Sequence, residues 1–523
     1  MTTVYTAITF APVQGFIEKS RKLRDLYGSS FILSYLARAI CDAAENQGNE
    51  VISPAIIDVT QGTPNQIVIK GEFPQSAAKA AIDEAWQQIT QACQEWIERH
   101  LPANYRWQRE WNAWTNHTWE FFWERGDSIS QVRKKLNDKK RSRDWTGINW
   151  IGESSTLSGT DAIASPSMSL KRDRSEQSQE VRQFYTQLSQ IKSLGAAFVD
   201  PSEQLSIPEL IKRLITYSTL ASYLKLNAQE HISVEIPATF RDLSRFNDNR
   251  WTGWFQGDGD SIGSHLRKLA ENSNEAEALK EFSKHMMEWG GKSLKPAIAK
   301  SGLGRIIYAG GDDFLGVLYS NEPDPPLKAR KCLDWFYKFP SVWREHGQDI
   351  TVSVGFVWAN AGVPQRDVLQ HCKEAEQSAK NNGRDRLALR VLFNGGNYIE
   401  WVCPWQFLQP ILNSYCDRQP GEKGKNWTHI YKDVATLEAR HAFKSDNSDI
   451  AQALFQVYFS KASHIIKDNL WNTDSDGSKK SGILGNRQQN DNRDRPLNPD
   501  EHQLLNNWII NLAKVGFHLC SDT

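Results

Sequence analysis

The sequence predicts an α+β fold with two ferredoxin-like domains, a helical insert domain between them and a helical C-terminal domain. The order strand, helix, hairpin, helix occurs in the first third of the chain and again after residue 250. Between these two regions, and again after residue 400, apolar residues recur with helical spacing. We therefore expect four domains, at residues 1–115, 116–240, 241–400 and 401–523.

Composition limits the possible classes of protein. A chain of 523 residues should form several domains, because a single core rarely grows beyond roughly 250–300 residues. The 62 basic and 62 acidic residues balance, so any nucleic-acid surface must be a local patch. No stretch approaches the ~18 apolar residues of a membrane span, and the N-terminus does not resemble a secretory signal. The seven cysteines form no CxxC pair, as expected for a protein of the reducing cytoplasm.

The first domain is predicted from a strand, two helices, a hairpin and a long helix. The end of its first strand offers Thr9, Phe10 and Ala11, and its hairpin tip has no carboxylate. Because Mg²⁺ prefers carboxylate oxygens, we expect no metal site in this domain. The predicted elements are, in order, Val4–Phe10, a helix from Gln14, Ser30–Ala43, Val51–Val59, Gln66–Gly71 and Gln75–His100.

The insert is predicted to be largely helical, with helices at Glu176–Leu194 and Ile207–Leu226. The basic run Arg133–Arg143 precedes them. Such a run is usually a solvated or mobile loop, and contact with RNA or phosphate is the alternative interpretation.

The second domain is organised around Gly310-Gly311-Asp312-Asp313, which lie between two short apolar runs within Arg305–Tyr319. Glycines at this position allow the positive φ of a tight hairpin. A plain polar turn needs only one Asp or Asn, so the adjacent carboxylates indicate a further role. The other predicted elements are, in order, strand Trp251–Gly257, a helix as far as Leu269, helices Glu275–Trp289 and Pro325–Phe339, strand Ile350–Trp358, helix Gln365–Asn381 and strand Arg386–Leu392.

A second acidic pair, Asp258 and Asp260, follows the first strand of this domain. In a ferredoxin-like sheet the first strand lies antiparallel beside the third, so this pair should meet Asp312 and Asp313 at one sheet edge. Four clustered carboxylates cannot all ionise without cations, because like charges raise one another's pKa. Oxygen ligands point to Mg²⁺ or Mn²⁺, and we predict a two-metal site with four ligands, Asp258, Asp260, Asp312 and Asp313. Such a site activates a hydroxyl and neutralises a transferring phosphoryl group.

The predicted helix ends in the run Ala379–Arg384, which should carry Lys380 toward the same edge. Gly383 is suited to end the helix with a positive φ. Lys380 and Arg384 are candidates to bind a triphosphate. A lysine at a helix C-terminus is also an ordinary partner of the helix dipole, which is the structural alternative.

These ordered motifs resemble the large subunit of type III CRISPR effector complexes and, more distantly, the GGDEF diguanylate cyclases. Phe10–Leu36 resembles the N-terminal palm signature of the former family, and Gly62–Asn65 resembles its following hairpin. GDGDSIG at Gly257–Gly263, GGDD at Gly310–Asp313 and AKNNGRDR at Ala379–Arg386 match the active, cyclase-like palm in order. A lone GGDD would be a weak signal, whereas the ordered set is specific.

The resemblance implies target-RNA-triggered, metal-dependent polymerisation of ATP to cyclic oligoadenylates in antiviral defence. It implies that the first palm is degenerate, that Asp258, Asp312 and Asp313 are catalytic metal ligands, and that Asp260 lies close by. The implied partners are the backbone, small helical and guide-tag-binding subunits of the complex, with its guide RNA and the target RNA. The residues expected to contact the nucleotide are Lys380, Arg384, Gly259, Ser261, Gly310 and Gly311.

Two features depart from the family pattern. Many relatives begin with an HD nuclease domain, but no His-Asp dipeptide occurs here, so we expect no DNase activity of that type.

Relatives often carry a CxxCG zinc knuckle between the palms. The corresponding residues here are Ser155 to Gly159, with Leu205–Arg213 as the downstream half. Serine hydroxyls are poor zinc ligands, so we predict no zinc.

Two other functions stay open. The chain could be a scaffold subunit that binds ATP and Mg²⁺ without turnover, although a scaffold has no use for clustered carboxylates. A free-standing diguanylate cyclase is the less favoured alternative, because GGDEF enzymes usually obtain a second site by homodimerisation.

The tail is predicted to be helical in Ile450–Ile466 and Asn506–Phe517, with a disordered polar stretch, Asn472–Pro499, between them. In the family this region meets the small helical subunits. A helical cap on the second palm is the alternative interpretation.

Overall fold

The computed structural model is of mixed α/β architecture. Within the part of the chain that it describes, no helix combines the length and apolar character needed to cross a membrane. The described residues are 3–143, 150–168, 174–194, 198–217, 220, 224, 250–272, 274–320, 326–417, 426–471, 482–486 and 495–521.

The chain divides into two compact units. Unit 1 comprises Met1–Ser244, Gly263–Gly290 and Ile307–Gly311. Unit 2 comprises Arg245–Ile262, Gly291–Ile306 and Asp312–Thr523.

Unit 1 contains one four-stranded sheet and its covering helices. The elements are β1 (Tyr5–Ala11), α1 (Gln14–Glu18), α2 (Leu23–Asn46), β2 (Glu50–Ser53), β3 (Ile67–Lys70), α3 (Gln75–His100), α4 (Gln108–His117), β4 (Glu120–Gly126), α5 (Ile129–Arg141), α6 (Arg174–Ser189), α7 (Ile207–Leu214), α8 (Ile262–Asn272) and α9 (Glu275–Glu288). The strand order β2-β3-β1-β4, with antiparallel neighbours, confirms the predicted ferredoxin-like sheet. Its fourth strand, β4, was not predicted and lies beyond residue 115, the expected end of the first domain.

A buried ion-pair network joins α2 to α7. The fully buried Arg213 donates to the two oxygens of Asp25 over 2.8 and 3.0 Å, and to Glu203 Oε2 over 2.9 Å. Lys22 Nζ lies 2.8 Å from the same Glu203 oxygen. Burial opposes ionisation of Asp25 and Glu203, but the charge of Arg213 and the hydrogen bonds that each carboxylate accepts together outweigh it and lower the pKa of both carboxyls. The charge of Lys22 adds to this effect at Glu203.

Replacing Arg213 with Met should destabilise the protein by about 3–5 kcal/mol, because two buried carboxylates would lose the guanidinium that neutralises them. The midpoint of chemical denaturation at pH 7 measures this change. Arg141→Met, at the exposed end of α5, is the matched control and should shift the midpoint little. Equal stability of the two variants would contradict the prediction.

Unit 2 contains the second sheet and the C-terminal helices. Its elements, with strand β6 shared between the units, are β5 (Thr252–Gly259), a π-helical turn (Trp289–Leu294), α10 (Lys295–Ser301), β6 (Gly304–Ala309), β7 (Asp313–Leu318), α11 (Ala329–Phe336), α12 (Phe339–Arg344), β8 (Val352–Ala359), α13 (Gln365–Asn381), β9 (Arg386–Leu392), β10 (Tyr398–Pro404), α14 (Trp405–Ser414), α15 (Thr428–Ala439), α16 (Asp449–Tyr458), α17 (Ser463–Asp468) and α18 (Pro499–Cys520).

The second sheet has the strand order β10-β9-β8-β5-β7-β6. Its portion β8-β5-β7-β6 again has the ferredoxin-like order, and β5 is antiparallel to both β7 and β8 as predicted. Helix α13 and strand β9 have the predicted limits. Strand β10 and helix α10 were not predicted, and β10 crosses the expected domain boundary at residue 400.

Several other predictions were tested by the described residues. The basic run lies mainly on α5, whose Ile129, Val132 and Leu136 are buried, so its interpretation as a loop was wrong. The tail helices are confirmed as α16, α17 and α18. The insert helix predicted to reach Leu226 ends at Leu214 as α7, and residues 215–217 form a turn, so its predicted extent was wrong. Most of the region from there to Leu226 lies outside the described residues, as do the helix start at Pro325 and most of the polar stretch Asn472–Pro499.

In two regions for which the sequence predicts no metal site, polar side chains form hydrogen bonds with one another. In the first sheet, Asn65 Nδ2 donates to Thr9 Oγ1 over 3.0 Å. In the insert, Ser155 Oγ donates to Glu209 Oε1 over 3.1 Å, and Ser158 N donates to the same oxygen over 3.2 Å. A buried carboxylate therefore joins the two serines that stand at the knuckle positions. The absence of metal at both places stays a prediction.

Candidate functional site

Neighbouring strand ends of unit 2 place carboxylates side by side. In the antiparallel register of β5 and β7, Asp258 lies opposite Asp313. Directly opposite residues have Cβ atoms roughly 4.5–5.5 Å apart on one face of the sheet. Asp312 immediately precedes Asp313, and its carbonyl accepts a hydrogen bond from Gly259 N over 3.2 Å. The structure thus brings Asp258, Asp312 and Asp313 to one edge of the sheet.

Aromatic rings lying over glycines fix the register of β5 and β7. Phe314 lies opposite Gly257, and Phe255 lies opposite Gly316. A Cβ added at Gly257 would lie 2.2 Å from the Phe314 ring, and one at Gly316 would lie 2.3 Å from the Phe255 ring. A slip of one residue would remove this fit and turn the side chains of one strand to the other face. The pairing of the two strand-end carboxylates therefore depends on these ring contacts.

The clustered carboxyls are partly buried and repel one another. Burial raises the pKa of Asp313 well above its ordinary value, and the charges of Asp258 and Asp312 raise it further. Burial, followed by the charge of Asp258, raises the pKa of Asp312 to about 7. These two carboxyls therefore hold their protons more strongly than an ordinary aspartic acid does.

Helix α13 supplies one cation to this site. Lys380 Nζ donates to the Asp258 carboxylate and lies 2.6 Å from Glu376 Oε1. Burial opposes the charged ammonium, but the hydrogen bonds to Asp258 and Glu376 and the charges of these two carboxylates together outweigh it and raise the pKa of Lys380. The helix approaches β8 closely at Gly355, where an added Cβ would lie 2.3 Å from Glu376 N. Glu376 was not predicted, although its i,i+4 spacing from Lys380 was a usable sequence signal.

Asp260 is held by the start of β8 and by the loop after α13. Its Oδ1 accepts from Ser353 Oγ over 2.7 Å, and its Oδ2 accepts from Thr351 Oγ1 over 2.9 Å and from Asp385 N over 3.0 Å. We predicted Asp260 as a metal ligand, whereas both of its oxygens are engaged in hydrogen bonds within the fold. Sequence reasoning missed Thr351 and Ser353, because these contacts span 91 and 93 residues and no local pattern marks them.

The loop after α13 contains two non-glycine residues with left-handed backbone. Arg384 has a φ of 63° and Asp385 a φ of 51°, after Gly383 with a φ of 121°. The side chain of Arg384 is exposed. The fully buried Arg386 donates to Arg384 O over 3.0 Å, and to the carbonyls of Gly482 and Ile483 over 2.9 and 3.2 Å.

The remaining predicted nucleotide contacts lie in two turns. Ser261 has a φ of 58°, and Gly311, which follows Gly310, has a φ of 103°. A Cβ added at Gly259 would lie 3.1 Å from the Cβ of Asp312, so a larger residue would crowd the acidic edge. That these residues contact a nucleotide stays a prediction.

In the described parts of the chain, no group of three or more His, Cys, Asp or Glu side chains is arranged to hold a metal ion. The donor chemistry of the site nevertheless fits Mg²⁺ or Mn²⁺, because these ions take oxygen ligands and the register places three aspartates at adjoining strand ends. Asp258, Asp312 and Asp313 are the residues that would hold such an ion.

Two family models match the chain in the order of its two sheets. The N-terminal model of the CRISPR-associated protein Cmr2 matches residues 5–101. The model of the second palm domain of Cas10/Cmr2 matches residues 252–388, which include the acidic edge and the loop after α13. No curated protein matches the sequence.

Solved structures of Cmr-beta show the same fold at low sequence identity. The apo state of a type III-B Cmr-beta complex includes a chain with a TM-score of 0.58 and 12% identity, covering 97% of this chain and 81% of that one. Cmr-beta bound to cognate target RNA gives a TM-score of 0.53 and 11% identity, covering 87% and 78%. A Csm1–Csm4 cassette in complex with cA4 gives a TM-score of 0.49 and 13% identity, covering 99% and 70%.

Proposed function

The chain belongs to the Cas10/Cmr2 family, the large subunits of type III CRISPR effector complexes, and we propose that it polymerises ATP to cyclic oligoadenylates when target RNA binds the complex. The observation that carries the proposal is the acidic edge of unit 2. There Asp258 lies opposite Asp313 beside Asp312, and Lys380 donates to Asp258. Partly buried carboxyls that repel one another destabilise a fold, so a subunit that only packs against others gains nothing from them.

In the proposed reaction, the oxygen of a 3′-hydroxyl bonds to the α-phosphorus of ATP. The bond from that phosphorus to pyrophosphate breaks, and the hydroxyl proton passes to solvent. Bound Mg²⁺ or Mn²⁺ would neutralise charge on the phosphates and acidify the attacking hydroxyl. Asp258, Asp312 and Asp313 would hold the metal.

The basic residues have a separate role in this proposal. Lys380 exchanges the Asp258 carboxylate for a phosphate oxygen, and the exposed Arg384 binds the same triphosphate from the loop. The turns at Gly259 and Ser261, and at Gly310 and Gly311, let the nucleotide approach the backbone.

We also propose that the chain acts as part of a multi-subunit complex. One similar structure is a Cmr-beta complex bound to cognate target RNA. We propose that this chain likewise works with backbone, small helical and guide-tag-binding subunits, a guide RNA and a target RNA.

The test is incubation of the assembled complex with ATP, Mg²⁺ or Mn²⁺, and matched or mismatched target RNA, followed by mass spectrometry. We expect cyclic oligoadenylates with matched RNA, and none from Asp312→Ala/Asp313→Ala. If a wild-type complex that still binds target RNA forms no product, the proposal of a synthase is wrong. The alternative, a scaffold subunit that binds ATP without turnover, would then be favoured. Preferential consumption of GTP would instead indicate a diguanylate cyclase.

A further inference from the structure

Asp260 joins three segments of unit 2 that are distant in sequence. Its backbone N donates to Thr351 O over 2.8 Å, while its carboxylate accepts from the hydroxyls of Thr351 and Ser353. The same carboxylate accepts from Asp385 N, a contact that spans 125 residues. A single side chain therefore links the end of β5, the start of β8 and the loop after α13.

These contacts leave little room for a metal ion on Asp260. Three donors occupy its two oxygens, and the residue is 5% exposed. Mg²⁺ requires near-octahedral coordination and usually keeps several waters, which need open space around the ligand. The side chain of Asp258, by contrast, is 30% exposed, and its partner Lys380 is a flexible side chain that can move away.

The loop that Asp260 contacts needs such support. A left-handed backbone costs a non-glycine residue roughly 1–2 kcal/mol, and the loop has two such residues in succession, Arg384 and Asp385. Asp260 binds the amide of the second, and the buried Arg386 binds the carbonyl of the first. The loop is thus held from both sides, and these two contacts set the direction in which the exposed Arg384 leaves the backbone.

We propose that Asp260 is a positioning residue that fixes the loop Gly383–Arg386, and that it is not a metal ligand. The effect of this role on catalysis rests on the proposed function. Asp260 orients Arg384 and so sets the affinity for the triphosphate, although Asp260 itself does not contact the reacting atoms.

The first experiment measures amide hydrogen exchange in the ligand-free protein. In Asp260→Ala the amide of Asp385 loses its acceptor, so it should exchange at least ~10-fold faster than in the wild type. Asp313→Asn, at the same edge but on β7, is the matched control and should leave that amide unchanged. Unchanged exchange in Asp260→Ala would overturn the positioning role. Because Asp260→Ala removes a buried anchor, Asp260→Asn, which keeps an oxygen acceptor, is measured beside it and should show a smaller increase.

The second experiment measures Mn²⁺ and ATP binding by calorimetry on the same proteins. Asp260→Asn should keep the wild-type Mn²⁺ affinity within about threefold, whereas Asp313→Asn should weaken it at least ~10-fold. Asp260→Ala should weaken ATP binding about 10-fold, through loss of the Arg384 contact. Equal losses of Mn²⁺ affinity in Asp260→Asn and Asp313→Asn would make Asp260 a ligand and overturn the proposal. A wild-type protein that binds neither Mn²⁺ nor ATP would refute the proposed function alone, since the exchange result needs neither.

Discussion

Replacing Asp312 and Asp313 together with Asn should abolish nucleotide polymerisation and make the ligand-free protein more stable at pH 8. A carboxyl with a raised pKa binds more protons in the folded state than in the unfolded state. Asp312, with an ordinary pKa of 3.8 raised to about 7, therefore makes the free energy of unfolding fall as the pH rises through that window. Asp313 is raised in the same direction. Asn carries no charge, so the free energy of unfolding of the variant should not show this decrease.

The gain should be on the order of 2 kcal/mol at pH 8, or roughly 5 °C in melting temperature, and should vanish near pH 4. Thermal unfolding in the presence of a chelator, recorded from pH 4 to pH 8, measures it. Asp446→Asn, which alters an exposed carboxyl of unit 2, is the control and should have the same melting temperature as the wild type at each pH. A double variant that is less stable than the wild type at pH 8 would contradict the electrostatic description of the acidic edge.

Replacing Lys380 with Met should have the opposite effect on stability, and should also impair nucleotide use. Without the ammonium, Asp258 and Glu376 would face each other uncompensated, at a cost of about 2 kcal/mol near pH 8. Loss of a phosphate ligand should raise the KM for ATP at least ~10-fold in the assembled complex. Lys373→Met, on the exposed face of the same helix α13, is the matched control.

A second substitution separates the charge effect from packing. Adding Asp258→Asn to Lys380→Met removes the unpaired carboxylate and should restore part of the lost stability, but not activity. If the two substitutions have independent effects on the denaturation midpoint, the ion pair does not contribute to the fold as described.

Much of the fold was predictable because it is encoded locally. The limits of α13 follow from its apolar spacing and the glycine at residue 383, and the hairpin before Asp313 follows from paired glycines between apolar runs. Strands β4 and β10 were missed for the opposite reason. In β4 three consecutive aromatic residues are followed by two charged ones, which breaks the alternation expected of a strand. Strand β10 begins in a polar segment after a turn.

The candidate site was predictable only as far as strand topology determines it. The ferredoxin-like order implies that Asp258 meets Asp313, and the register agrees. The surroundings of Asp260 depend on hydroxyls and an amide more than 90 residues away, which are brought near it only by the folded sheet. From residue type alone, the same role was predicted for all four aspartates, whereas the fold places Asp260 in a different environment from the other three.

The two sides of the acidic edge differ in how they can move. Asp258 and Asp313 are borne by strands whose backbone hydrogen bonds form a continuous ladder, so displacing them requires local unfolding of the sheet. Lys380 stands in the last turn of a helix at the end of a flexible side chain, and side-chain rotamers change within nanoseconds. Adjustments during each turnover should therefore arise on the helix side, while the strands serve as the fixed frame against which the substrate is aligned.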